Sequence, residues 1–172
     1  MANTYVQIGS TVTVGSGGAA TIAFTSIPAT YTDLKLVLSG RCSQAAATGN
    51  MAISINGSSA NLSRRLIYGN GSAVASTNNT DGYVGDTVGA NATASTFSNI
   101  EIYFPNYAGS TNKSFSTDNV TENNATEAWA FLVAGLWSQS AAITSLSLGP
   151  LSPQTWTFAQ YSTATLYGIK NS

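Results

Sequence analysis

Apolar and polar residues alternate along this chain in short runs, and each run closes on a cluster of Gly, Asn and Ser. From Asn99 to Phe104, Ile100, Ile102 and Phe104 share one parity and Asn99, Glu101 and Tyr103 the other, the period of a strand with one buried face. In Asp33–Ser39, Leu34, Val37 and Leu38 are apolar while Lys35 and Ser39 are polar, and Ile143–Leu148 alternates imperfectly. Ala128–Trp137 is apolar at nearly every position. It reads as a strand buried on both faces, with a short helix starting near Thr126 as the alternative.

The pattern predicts strands at Ser10–Val14, Ala20–Phe24, Asp33–Arg41, Met51–Asn56, Leu62–Gly69, Gly82–Val88, Phe97–Phe104, Lys113–Val120, Ala128–Trp137, Ile143–Leu148, Trp156–Gln160 and Ala164–Ile169. Asn56-Gly57, Asn70-Gly71, Asp81-Gly82 and the Gly15–Gly18 cluster supply the positive φ angles of hairpin turns between them. Pro28, Pro105, Pro150 and Pro153 fall at run ends, where a missing N–H does least harm. About ten to twelve short strands at this spacing predict an all-β fold, an antiparallel β-sandwich that is jelly-roll-like. No linker or repeat divides the chain, so residues 10–172 are expected to be a single β-sandwich domain. Residues 1–9 read as an N-terminal arm. Within it Tyr5, Val6 and Ile8 are the residues expected to add to a neighbour's sheet edge.

Composition narrows the reading. Only 8% of residues are charged, against roughly 25% in an ordinary soluble domain, and the formal net charge is -1. Such a neutral Ser/Thr/Asn skin gives little repulsion between copies and suits a surface covered by partners. A secreted β-protein with an uncharged skin is the other reading. The six Lys and Arg are scattered, with only Arg64-Arg65 adjacent, so a nucleic-acid partner is not expected. No apolar stretch approaches the roughly 18 residues of a membrane span, and no membrane partner is expected. The Met1–Ile8 segment has neither the basic start nor the apolar run of a signal peptide, which points to synthesis in a cytoplasm followed by building into a larger assembly.

The chemistry available is limited. There is no histidine, which removes Ser-His-Asp and Cys-His catalysis and imidazole metal sites. Cys42 stands alone, with no disulfide partner and no base to activate it. Among the seven acids, Asp81 and Asp86 flank a short strand, while Asp118, Glu122 and Glu127 gather in an Asn-rich turn. Two carboxylates beside Trp129, Trp137, Trp156 and the tyrosines could serve a glycosidase. Asp118, Asn119, Glu122 and Asn123 offer hard oxygens for calcium without following an EF-hand loop. The simpler reading is that acids in such turns cap them and keep them soluble. No enzyme activity, cofactor or metal site is therefore expected. Strand parity puts Arg64 and Arg65 on opposite faces, so one of them points to an interior, a barrel end or a partner, where a guanidinium fork is favoured. Alternatively both sit at the sandwich rim and reach solvent.

Several stretches stand in one order along most of the chain: Gly15-Ser-Gly-Gly-Ala19, Ile22–Pro28 and Tyr31-Thr-Asp-Leu34; Ser63-Arg-Arg-Leu66; Glu101-Ile-Tyr-Phe-Pro-Asn-Tyr107 with Ser110-Thr-Asn-Lys-Ser114; Val120-Thr-Glu-Asn-Asn124; and Tyr161–Ile169. Together they resemble virion structural proteins of tailed phages, especially those of cyanobacteria and other aquatic bacteria. The resemblance implies a β-sandwich part of a phage particle, either a capsid decoration (cement) protein or a tail-fibre or knob component. The absence of coiled-coil heptads and of a β-helical shaft favours the head. The expectation is a homo-oligomer, such as a trimer, on the virion's capsid surface that clamps adjacent copies of the major capsid protein. The alternative is a tail-fibre or knob component that binds host surface glycans through Trp and Tyr faces. A carboxylate hydrolase built on Asp118, Glu122 and Glu127 is the third reading.

Overall fold

Strand alternation carries through to the folded chain. The computed structural model describes residues 4–124 and 127–170. Those residues form β1 (Tyr5–Thr13), β2 (Ile22–Phe24), β3 (Asp33–Gly40), β4 (Thr48–Ile55), β5 (Leu62–Gly69), β6 (Val74–Asn79), β7 (Tyr83–Val88), β8 (Ser98–Phe104), β9 (Lys113–Val120), β10 (Ala130–Trp137), β11 (Leu146–Pro150) and β12 (Thr163–Ile169). Every strand pairing is antiparallel. The larger sheet has eight strands in the order β1-β12-β3-β8-β9-β10-β5-β6, and the smaller has four in the order β2-β11-β4-β7.

This order is a jelly roll with additions. If β2 to β8 and β11 are lettered B to I in chain order, the small sheet reads B-I-D-G and the large sheet reads C-H-E-F, the two four-stranded faces of that fold. The β9–β10 hairpin is inserted between H and E, and β1 and β12 are appended beside C. Alternating side chains fill the space between the layers. Leu34, Leu36, Leu38, Ile100, Ile102 and Phe104 come from the large sheet, and Met51, Ile53, Ile55, Leu146 and Leu148 from the small one, all buried. Each such side chain contributes roughly 1.5–3 kcal/mol relative to exposure. Cys42 lies in this core, where burial pushes its thiol up to about 11, as suits a small hydrophobe. Arg41 is spent on structure: its guanidinium donates to the carbonyls of Ala90, Ala92, Thr93 and Thr96 and closes that loop.

Four differences from the sequence pattern have physical causes. First, β6 is a fully exposed strand, Val-Ala-Ser-Thr-Asn-Asn, whose polar pattern carries no strand period; it forms because β5 offers it a ladder. Second, Trp156–Gln160 is held mainly by bridges from Phe158 to Ala19 and Cys42 rather than as a strand. Third, β10 is not covered on both faces. Phe131, Val133 and Trp137 are buried, while Ala130, Leu132 and Ala134 are exposed. A strand over Ala130–Trp137 also replaces the helix alternative, whose start at Thr126 lies outside the described residues. Fourth, of the expected arm, Met1–Asn3 lie outside the described residues and Tyr5–Ile8 pair with Leu166–Ile169 of the same chain as the start of β1. Ile8 and Val12 pack against the core, which explains why this segment joins its own sheet.

Candidate functional site

The inserted hairpin shapes the most distinctive surface. In an uninterrupted jelly roll, strand G would lie over F. Here β7 packs over β8, β9 and β10 instead, so β5 and β6 overhang the small sheet. The inner face of the overhang builds its own apolar cluster from Leu66, Tyr83, Phe131 and Val133, flanked by the partly buried Tyr68, Trp129 and Leu151. Where it meets the β4–β7 edge of the small sheet it leaves a cleft of about 380 Å³.

One wall of the cleft is aromatic. Phe131 lies near-parallel to Tyr68 (26°, ring centroids 5.8 Å apart) and to Trp129 (29°, 6.1 Å). Tyr83 meets Phe131 edge-on at 6.1 Å. The opposite side is polar. Asp86 is buried, and its Oδ1 accepts from Tyr83 Oη (2.8 Å) and Asn50 Nδ2 (2.8 Å). Burial holds the Asp86 carboxyl above the usual aspartate range; hydrogen bonds from Tyr83, Thr48 and Asn50 oppose the shift, and the nearby Glu127 carboxylate adds to it. Asn50 is fixed in turn by Gln154, whose Nε2 donates to Asn50 Oδ1 (2.7 Å) and whose Oε1 accepts from Asn50 N and Trp156 Nε1 (both 2.9 Å). The polar side is thus a locked network rather than a set of free rotors.

Backbone geometry sets Asp86 in place. Gly85 has φ +123° at a register shift between β4 and β7, and Asn119 of β9 occupies the space a Cβ would need. Only glycine fits there. Asn119 Oδ1 accepts from Asp86 N (2.7 Å) and its Nδ2 donates to Asp86 O (3.0 Å), so one side chain of the inserted hairpin satisfies the open edge of β7 and ties the sheets together.

Arg64 sits at one end of the cleft. Its Nε and Nη2 bind both oxygens of Asp81 (2.7 and 3.2 Å), and its guanidinium carbon lies 4.7 Å from the centre of the Tyr83 ring. Burial alone would raise the Asp81 carboxyl, but the Arg64 bonds and charge, with the Tyr83 N–H, hold it below the usual range. Arg64 Nη1 is buried and has no hydrogen-bond partner among the described residues, a state that costs about 1–3 kcal/mol. Glu127, Thr48 and Thr77 complete the rim.

The outer face of the same overhang carries a second candidate surface. Leu132 (54% exposed) stands opposite Ile67 (53%) across the β10–β5 pair. Ala130 stands between Val120 and Gly69, and Ala134 between Ser116 and Arg65. Val74 of β6, facing Gly69, extends the strip to the sheet edge.

The residues singled out in the sequence are not brought together. Tyr5, Val6 and Ile8 lie on β1, one edge of the large sheet, and Arg64 and Arg65 on β5, next to the other edge. Tyr5 is exposed, with its ring edge-on to Tyr167 at 6.3 Å; Ile8 is turned to the core. Arg64 and Arg65 do face opposite sides: Arg64 is engaged at the cleft, and Arg65 is exposed beside the apolar strip. The carboxylate trio separates. Asp118 stands on the outer face of β9, Glu122 accepts from Asn124 N (2.6 Å), and Glu127 lines the cleft. Asn119 is committed to the Asp86 backbone, and no group of three His, Cys, Asp or Glu able to hold a metal occurs among the described residues. The cleft's key acid, Asp86, has a weak sequence signal: an acid beside a glycine inside a strand that is otherwise fit for burial.

No protein-family model, no curated protein and no solved structure matches the chain.

Proposed function

We propose that this protein is an assembly component of a phage particle, a capsid decoration protein that docks on the head surface and clamps neighbouring copies of the major capsid protein. The observation that carries the docking half is the apolar strip of Ile67, Leu132, Ala130, Ala134, Val120 and Val74 on the outside of β9-β10-β5-β6. Contiguous exposed apolar surface of this kind, edged here by Asp118 opposite Leu132 and Arg65 opposite Ala134, marks an interaction site, and many copies would add its contacts together. The phage-particle half is supported by the resemblance carried by the segments from Gly15 to Ile169, which fits head and tail alike, and a sequence without coiled-coil heptads or a β-helical shaft favours the head. The opposite sheet edge, β1 with Tyr5 exposed on it, is left for a second copy through strand addition.

Electron microscopy of purified particles tests the location. Density for this chain over the junctions between capsid subunits is the expected result, and density only in the tail would refute the assignment. Removing Met1–Gly9 tests the oligomer: the shortened chain should lose self-association, and unchanged self-association would exclude β1 as the contact.

A further inference from the structure

We infer that the cleft between the β5–β6 overhang and the β4–β7 edge is a binding site for a neutral saccharide, of mono- or disaccharide size. This goes beyond the docking role and uses the other face of the overhang. The cleft, at about 380 Å³, lies at the lower end of the roughly 300–1,000 Å³ typical of small-molecule sites. Its two sides divide as a sugar ring divides. Tyr68, Phe131 and Trp129 form an aromatic cluster in which Phe131 is near-parallel to each of the others while Tyr68 and Trp129 are tilted by 52° to one another, apolar surface suited to the C–H face of a pyranose. Thr48 and Asn50 on β4 and Asp86 on β7, with Glu127 and Thr77 at the rim, offer acceptors and donors for its hydroxyl edge. Arg64 also lines the cleft, and its buried Nη1 has no hydrogen-bond partner among the described residues.

The charge pattern selects among ligands. Arg64 is already matched by Asp81, and the remaining ionisable groups of the cleft, Asp86 and Glu127, are acidic apart from the Tyr68 and Tyr83 phenols. A phosphate or an acidic sugar therefore meets no uncompensated positive charge. A quaternary ammonium is also disfavoured, because the Arg64 guanidinium already lies over Tyr83. The polar side is held before any ligand arrives by the Trp156–Gln154–Asn50–Asp86 chain of hydrogen bonds, which lowers the ordering cost of binding.

Nuclear magnetic resonance on the full chain tests this. The three tryptophan indole N–H signals separate the cleft (Trp129) from the core (Trp137 and Trp156), with Trp129 identified by Trp129→Phe. The probes are the methyl glycosides of glucose, galactose, mannose and N-acetylglucosamine, with glucuronate, inorganic phosphate and choline as counter-probes. At least one neutral glycoside is expected to shift the Trp129 signal saturably, with a dissociation constant in the micromolar-to-millimolar range, while Trp137 stays in place. Asp86→Asn and, read on the Arg64 Nε–H signal, Trp129→Ala should each weaken that binding at least about tenfold, the loss of one good contact. Trp129→Ala sits at the partly exposed rim and keeps the test open if Asp86→Asn fails to fold. No saturable shift with any neutral glycoside, tighter binding of phosphate, glucuronate or choline, or unchanged affinity in the folded variants would overturn the assignment. None of these outcomes bears on docking, which is read on particles.

Discussion

The eight-stranded sheet is two surfaces in one. Outside β1-β12-β3-β8, polar side chains interlock: Lys35 pairs with Glu101 at 2.8 Å and lies 5.7 Å from the Tyr5 ring centre, Tyr103 Oη donates to Asp33 at 2.6 Å, and Thr11 bonds Thr165 at 2.9 Å. Outside β9-β10-β5-β6 the same pleat presents Ile67, Leu132, Ala130, Ala134 and Val120 with no such lattice. The two halves share one backbone ladder, so strand geometry does not distinguish them. What differs is how the outward side chains are used: the first half satisfies itself, and the second leaves apolar side chains exposed, the surface proposed for docking. The second half is also where the β9–β10 insertion moved the fold, which gives it an exposed apolar strip outside and a cleft inside at once.

The largest effect should come from cutting the tie that holds this second half to the small sheet. Asn119→Ala leaves the Asp86 N–H and C=O without partners, a loss of roughly 2–4 kcal/mol and a fall in melting temperature of about 10 °C by calorimetry. Thr165→Ala in the first half should move the midpoint far less, since its bond to Thr11 is exposed. Equal losses would mean that the two halves are held alike.

Next comes the strip itself. Leu132→Asp should weaken docking about thirtyfold, about 2 kcal/mol, while the melting temperature stays within a few degrees because the side chain is already half in water. A smaller effect separates the inner face of the overhang by pH. The Asp86 carboxyl is held above its ordinary value of 3.8, so the folded chain binds this proton more tightly than the unfolded chain. The stability it contributes is fully present below that value and is lost as pH rises through the folded pKa. Asp86→Asn, which mimics the protonated form, should therefore gain on the wild type as pH rises above 3.8 in denaturant titrations. A variant that loses stability relative to the wild type as pH rises would contradict this. The smallest effect belongs to the self-satisfied half: Lys35→Ala removes a partly exposed ion pair and should cost at most about 0.5 kcal/mol, with docking unchanged.

The alternating strands were legible because each carries its burial in its own sequence. Leu34, Leu36 and Leu38, or Ile100, Ile102 and Phe104, state which face is inside. Asn56-Gly57 marks a turn in which both residues have positive φ. Strand β6 was not legible, because a polar edge strand owes its existence to the neighbour that pairs with it. The apolar strip was half legible: Ala128–Trp137 shows apolar residues of both parities, which burial on two faces and docking on one explain equally well until the opposite layer is seen. The cleft was least legible. Tyr68, Asp86, Trp129 and Asn50 come from separate elements, and only the displacement of β5–β6 by the inserted hairpin brings them together.

The central claim is that docking uses the second half of the large sheet's outer face. Cosedimentation with particles stripped of this protein tests it through two matched substitutions, Leu132→Asp in that half and Thr165→Asp in the other. Wild type and Thr165→Asp should saturate the particles alike, with Leu132→Asp left largely in the supernatant; equal binding by both variants would contradict the account.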